Sequence, residues 1–565
     1  MSQSAIGRRS RNVCSYPAGL LARIRPRPRG RSFGRSTAQK IAVDVVVTQR
    51  VSDRTSVRAK WCLGILVAGY LAIAVVAGAP RSPLTVPLPT GARPPLWATD
   101  LARGVGLDQV GRAGLIGVSW ILVVVVLMAF ALVLGEAWSR RIRLSAVLVA
   151  SGISLAISVA EPLLLSRDVY TYAAYGRIEA LYQHDPYVAT LSSFMHDPFV
   201  AVTSGQWLHT HSHYGPLFTL ASAAIARTWT GSAGATILAF KLLTGVAIAA
   251  ATGFVALTAA RIRPDRAPLA AALVGLNPVL VVHTVGGGHV DALIAAPLAA
   301  AMAIAVTRPR GASAAAIAIT VLLTVTCLVK ASMVPALALW VWWIVHTDRA
   351  HRGRILTAHL AVIAGSVLAS VTPFLAGWRT LAPFATLGGV EAWASPSHLV
   401  GRAAQAIVGS FAGSSAGADA AGAVEAAFLL VFVVLVWRLA RRTRASNPAS
   451  PADAWGVALL LLALSMPYLL PWYAAWFAPF LGLLADEALL LVGALVTGVL
   501  ALTLIPADPF HGLTTPAVMD GVHYGAASVL LVVLLVVASR VLGNGHRAPA
   551  AVSWTPTGTA PTDAA

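Results

Sequence analysis

The sequence predicts an all-α polytopic membrane protein, and three observations carry that prediction. Of 565 residues, 57% are hydrophobic and only 11% are charged, whereas an ordinary soluble chain carries about 25% charged residues. The apolar residues fall in long runs, many of them near the ~20 residues that a membrane-crossing helix needs. The formal net charge of +20 is concentrated in an amino-terminal tail and in short loops between those runs.

Residues 1–60 hold fourteen Lys and Arg against Asp44 and Asp53, a net +12. The segment is rich in Arg, Ser and Pro without helical periodicity, and is expected to be a disordered cytoplasmic tail. It directly precedes the first apolar run, where cytoplasmic charge belongs. The positive balance therefore reports topology, and no nucleic-acid partner is expected. No cleavable signal peptide is evident, and the first run reads as a signal anchor. Cys14, Cys62 and Cys327 form neither a disulfide framework nor a metal spacing.

Residues 61–543 form the predicted membrane domain. Fourteen candidate spans follow in order: 61–79, 114–134, 144–165, 232–259, 268–285, 292–306, 312–329, 331–345, 355–376, 423–437, 454–470, 471–485, 488–505 and 522–540. Several are shorter than a full crossing, so the expected bundle has about 12–14 transmembrane helices. Residues 544–565, rich in Pro, Thr and Ala, are expected to be a flexible tail. With both termini inside, the short inner loops carry fifteen Lys and Arg, whereas the short outer loops carry only Lys330. Three outer segments, 80–113, 166–231 and 377–422, are too long for simple turns. Within the second, 214–231 reads as a helix at the interface or re-entering. Long ordered loops are usually functional, and 166–231 is the expected main extracytoplasmic catalytic loop.

The polar chemistry is sparse and clustered. Asp168 lies in the run Ser166–Tyr172, where the third span meets the outer face. It is either a solvated acid paired with Arg167 or Arg177, or a base oriented among Tyr170, Tyr172 and Tyr175. His209, His211 and His213 would project together from an extended chain like metal ligands, although a loop histidine cluster is more often no site. The loop aromatics suit both sugar faces and a membrane-interface belt.

Gly286–Asp291 lacks the strand and helix context of a nucleotide loop. Its glycines can make a tight turn with Asp291 capping the next helix, and His289 and Asp291 can also face the cavity of Asp168. Lys330 is one of four lysines and stands between two apolar runs. It can snorkel to headgroups or meet a phosphate. Glu161 has a similar claim. Prolines in 466–476 either kink spans carrying anchoring Trp and Tyr or break a helix beside a cavity.

Taken together, SRDVYTYAAYGR (166–177), DPYV (185–188), DPF (197–199), YGPLF (214–218), GGGHVDALI (286–294), LVKAS (328–332), WASPSHLVG (393–401) and LPWYAAWFAPFL (470–481) resemble the GT-C membrane glycosyltransferases. In particular they resemble the actinobacterial polyprenol-phosphate-mannose-dependent α-1,6-mannosyltransferases that build lipomannan and mannan backbones. The resemblance covers residues 61–540 and implies a GT-C-like bundle. It also implies a polyprenyl-phosphate-sugar donor and a mannan or lipoglycan acceptor, meeting at the outer face of the plasma membrane.

Under that resemblance Asp168 is the general base. Lys330, with Arg167, Arg177 or Arg402, holds the lipid phosphate. Tyr170, Tyr172, Tyr214, His289, Asp291, Trp472 and Tyr473 are further candidate substrate contacts. So is His213, although the His209, His211 and His213 series is not part of the family's pattern and either decorates the acceptor site or has no role. Many GT-C enzymes have two acids where this chain has Arg167 before Asp168, which argues against a metal bridged by paired acids, and no cofactor is assigned. The other readings are a transporter or flippase for lipid-linked sugars, for which no inverted repeat is visible, and a non-catalytic assembly protein on the same scaffold.

Overall fold

The computed structural model describes residues 55–307, 313–347, 350–374, 379, 394–445, 451–503 and 516–543. Most of the expected basic tail, the whole carboxyl-terminal tail 544–565, and Arg308, Arg310 and Arg349 lie outside the described residues. The described chain is all-helical, with eighteen α-helices and a single isolated β-bridge, Thr85 to Leu164.

In chain order the helices are α1 (Val57–Ala77), α2 (Leu96–Gly104), α3 (Arg112–Trp138), α4 (Leu144–Ala160), α5 (Asp168–Ala180), α6 (Pro216–Thr228), α7 (Ala233–Ile262), α8 (Ala267–Gly275) and α9 (Ala292–Thr307). There follow α10 (Ser313–Val329), α11 (Val334–Thr347), α12 (Arg352–Val371), α13 (Pro396–Ala412), α14 (Ser414–Ala445), α15 (Pro451–Ser465), α16 (Ala474–Leu481), α17 (Glu487–Leu502) and α18 (Pro516–Leu542).

Among the described residues, seven segments are long and apolar enough to cross a membrane: 57–77, 112–138, 233–262, 264–285, 352–371, 414–442 and 521–542. Six further apolar helices are shorter. Helices suit this setting because every backbone polar group is satisfied within the segment. Their starts carry ordinary caps: the Ser56 hydroxyl accepts from the Ala59 N–H at 3.0 Å, and Asp486 accepts from Ala488 at 2.9 Å. Helix α1 begins at Val57, so its first turn falls within the segment 1–60 expected to be a tail.

Two expected spans differ. The run 268–285 is interrupted at 276–278 and continues as a π-helical turn, Val279–Val285. Pro278 cannot donate a helical hydrogen bond, and the freed groups are taken up locally. The Tyr70 hydroxyl donates to the Leu276 carbonyl at 2.6 Å, the Asn277 amide donates to Leu273 at 3.1 Å, and His283 meets the Ala501 carbonyl at 3.1 Å. The run 471–485 is no crossing at all. It is a 3₁₀ turn, Pro471–Tyr473, followed by the eight-residue α16, and Pro471–Leu481 is wholly buried. Gly482 rests directly on the backbone of Ala270, so α8 and α16 form a core that the outer helices surround.

The long segment 166–231 is not an open loop. It contains α5, three short 3₁₀ turns and α6, with α6 laid on α5 where Gly176 meets the backbone of Ser222.

The two ends of the bundle are chemically distinct. At one end the start of α1 joins the Arg140–Arg143 turn, where the Ser56 N–H donates to the Arg141 carbonyl at 2.9 Å. Arg140 pairs with Asp265 at 2.7 Å, Arg266 with Glu487, and Arg540 with Asp486 at 3.4 Å. Helices α1 and α4 both run from this end to the other. There Leu165 N–H donates to the Leu84 carbonyl at 2.9 Å, and Leu164 N–H to Gly286 at 3.1 Å.

Candidate active site

Five chain segments meet at the end away from the arginine-bearing turns. They are the turn 163–168 entering α5, residues 211–215 entering α6, the Gly286–Asp291 loop, Lys330 at the end of α10, and the turn Pro471–Tyr473 entering α16.

Close approach of backbones assembles them. Gly215 N–H donates to the Val329 carbonyl at 3.1 Å, and a Cβ at Gly215 would stand 2.0 Å from the Leu328 oxygen. The YGP segment can therefore reach the residues just before Lys330 only with glycine. Gly288 has φ +64°, and a Cβ there would stand 2.5 Å from Val169, which brings the His289 loop against the start of α5.

Asp168 is the first residue of α5, and its N–H donates to the Ser166 hydroxyl at 3.1 Å. A carboxylate at a helix amino terminus is favoured by the unpaired N–H groups there. Its Oδ2 lies 3.4 Å from His289 Nδ1, with the imidazole buried and the carboxylate still 21% exposed. The Tyr172 hydroxyl lies 3.5 Å from the same nitrogen. His289 lies flat on the indole of Trp472, with ring centroids 3.4 Å apart and planes 13° from parallel.

Beside this dyad, fully buried Asp291 accepts at Oδ1 from Lys330 Nζ at 2.8 Å and from the Trp476 indole N–H at 2.7 Å. The Lys330 ammonium also stands over the rings of Tyr473 (4.2 Å) and Trp476 (5.1 Å), which stack on each other. A desolvated cation over aromatic faces is attracted by their quadrupoles.

These neighbours set the electrostatics. Burial pushes the Asp168 carboxyl up, but the hydrogen bond and charge of His289, with His213 and Lys330, more than offset it and hold the group below its ordinary value. Burial pulls His213 down to about 4, against the pull of Asp168. Burial, reinforced by Asp168 and Asp291, pushes the Tyr172 phenol well above its usual range, so it stays a neutral donor. The arrangement is an ionised carboxylate buttressed by an imidazole, beside a cation held on a second carboxylate, with apolar walls. Such a site can accept a proton at one end and hold an anion at the other.

Of the residues singled out in the sequence, Asp168, Tyr172, His213, Tyr214, His289, Asp291, Lys330, Trp472 and Tyr473 come together. His213 is stacked on Trp207 at 4.7 Å and lies against Tyr214, within electrostatic reach of Asp168 and Lys330. Its companions His209 and His211 are exposed, so the three histidines do not converge. No group of three or more His, Cys, Asp or Glu among the described residues is placed to hold a metal ion.

Arg177, Tyr170 and Arg402 are placed elsewhere. Arg177 is nine residues past Asp168, ~13 Å along the helix, and its Nε donates to buried Asp197 at 2.6 Å. Tyr182 shares that acid at 2.8 Å, so the pair staples the 185–199 segment. Tyr170 points to Phe199, with ring centroids 6.3 Å apart, and Arg402 is exposed on α13. Arg167 adjoins Asp168 and acts electrostatically on Tyr170.

Trp476 and Lys241 are buried residues that sequence reasoning does not place at the site. Trp476 lies within the run 470–481, but its bond to Asp291 depends on a contact across 185 positions. Lys241 sits inside the apolar run 232–259, and its rarity, one of four lysines, is the available signal.

The family model described as "Alpha-(1->6)-mannopyranosyltransferase, N-terminal domain" matches residues 64–346. That region carries Asp168, His289, Asp291 and Lys330, whereas Trp472, Tyr473 and Trp476 lie beyond it. The chain is similar to Alpha-(1->6)-mannopyranosyltransferase A of Mycobacterium tuberculosis, at 26% identity over 373 residues. That match covers 60% of this chain and 65% of the relative, so it spans just under two thirds of the relative's length. By the extent of the family match, this chain is a member of the alpha-(1->6)-mannopyranosyltransferase family.

Proposed function

We propose that this protein transfers mannose from a polyprenyl-phosphate-mannose donor to an α-mannan or lipomannan-type acceptor, forming an α-1,6 linkage. The observation that carries the proposal is the pairing of Asp168 on His289 with Lys330 on Asp291, in an apolar setting inside the family-matched region.

Asp168 takes the proton of the acceptor hydroxyl as that oxygen attacks the anomeric carbon. The bond from that carbon to the phosphate oxygen breaks, and its electron pair leaves with the polyprenyl phosphate. Lys330 offsets the charge that develops there. Attack opposite the leaving group inverts a β-linked donor to an α-linked product. Placing the reaction on the extracytoplasmic face of the plasma membrane is supported by the position of these residues at the bundle end opposite the Arg140–Arg143 and Arg261–Arg266 turns.

The test supplies membranes containing the protein with radiolabelled polyprenyl-phosphate-mannose and an α-mannoside acceptor. Transfer is expected from the wild type, with a loss of at least ~100-fold in Asp168→Ala. Undiminished transfer in that variant would remove Asp168 from the chemistry. No transfer from any lipid-phosphate sugar, with labelled lipid crossing the bilayer, would replace the transferase with a carrier.

A further inference from the structure

Lys241 lies within the spanning helix α7 and is 1% exposed. Its Nζ donates to the backbone carbonyl of Glu161 at 2.5 Å and to that of Pro162 at 3.0 Å. Those carbonyls sit where α4 stops, at a helix end whose acceptors need outside donors. Glu161 is itself buried, and its carboxylate accepts from the Ser158 hydroxyl at 3.0 Å. An ionisable side chain inside a membrane-spanning helix is costly to keep, and function is the default reading for one. A methionine would fill a similar volume without that cost.

The lysine also touches a second segment. Its Cγ lies 3.7 Å from the point where Gly288 would carry a Cβ, and Glu161 Oε1 lies 2.8 Å from the corresponding point at Gly286. From Pro162 the chain runs through Leu164, whose N–H donates to the Gly286 carbonyl, and Leu165, whose φ is +59°. A leucine in that region is strained and persists only where its surroundings over-determine it. Three residues later stands Asp168, while one residue after Gly288 stands His289.

We propose that Lys241 is the positioning residue that sets Asp168 against His289, being fastened to the carbonyls that begin one segment and packed against Gly288, the residue before His289, in the other. Its kinetic consequence rests on the transferase reading above, whereas its structural consequence does not.

The test compares wild type with Lys241→Met in purified full-length protein in lipid nanodiscs. Amide hydrogen exchange is expected to rise in 161–168 and in 286–291 and to stay unchanged in α15. With polyprenyl-phosphate-mannose as donor, kcat per folded molecule is expected to fall at least ~10-fold, since small misplacements of reacting groups are that costly. The donor KM should stay within about twofold. Unchanged exchange in both segments would overturn the proposal. So would an unchanged kcat per folded molecule, which is what a merely structural role predicts. If Lys241→Met does not accumulate, Lys241→Gln, whose shorter amide cannot reach both carbonyls, takes the same two measurements with smaller expected changes. A wild type without transfer would sink the transferase reading while the exchange result still decides the role of Lys241.

Discussion

Lys330 and Asp291 meet at 2.8 Å, with the carboxylate fully buried and the ammonium laid over the ring of Tyr473. The two residues are 39 positions apart and come from the ends of different helices. The carboxylate fixes the direction of the lysine side chain, so its nitrogen is already oriented toward the cluster.

Breaking that pair from one side should cost more than removing both partners. Lys330→Met leaves a buried carboxylate without its counter-ion, a loss of roughly 3–5 kcal/mol. The double variant Lys330→Met with Asp291→Asn should recover much of that stability and none of the transfer activity. Thermal unfolding in detergent alongside the transfer assay separates the two effects.

Trp476→Phe removes the second donor to Asp291 Oδ1 while keeping an aromatic ring near Lys330. Loss of a buried hydrogen bond to a charged acceptor should lower stability by about 1.5–3 kcal/mol. Unfolding midpoints of Trp476→Phe and of Trp476→Phe with Asp291→Asn should be non-additive, because both changes strike one bond.

The pH dependence follows from Asp168 and His213. Asp168 is held below its ordinary value of 3.8, so the acid limb of kcat should lie below that value, and His289→Gln should move it upward. Ionised Asp168 contributes stability above its unfolded value, and that contribution is lost as pH falls through the lowered folded value. His213 works in another window. Its folded value of about 4 lies below the ordinary 6.5, so the unfolded chain binds the extra proton between them. Stability should therefore fall as pH drops from about 6.5 to about 4, and His213→Phe should flatten that slope in a melting series.

Glycine at 215 is required by the backbone of Leu328, with which a Cβ would collide. Gly215→Ala should lower stability by about 1–3 kcal/mol and reduce transfer, since it pushes the YGP segment away from Lys330. Gly135→Ala, on α3 with nothing within 4 Å of the added carbon, is the control and should be neutral or slightly stabilising.

What the sequence determines by itself is whatever depends on residue type along one helix. The apolar lengths specify a helical membrane bundle, because backbone in lipid must satisfy its own hydrogen bonds. The Arg140–Arg143 and Arg261–Arg266 turns mark one end of that bundle, and Asp168, His289 and Lys330 stand out as rare polar residues at the boundaries of apolar runs.

Tertiary structure decides what depends on distance between helices. The sequence offers Arg177 beside Lys330 as a possible partner for a phosphate, yet Arg177 is paired with Asp197 while Lys330 faces the cluster. The run 471–485 reads as a span by hydropathy, but it opens on a 3₁₀ turn at Pro471 and its α-helix has only eight residues, and burial against α8 makes its apolar side chains core rather than lipid contacts. Lys241 is invisible as a contact until α4 ends beside it, because a hydrogen bond across 80 positions leaves no periodicity to read. Side-chain chemistry is local and legible, whereas the partner of each charge is chosen by how the helices pack.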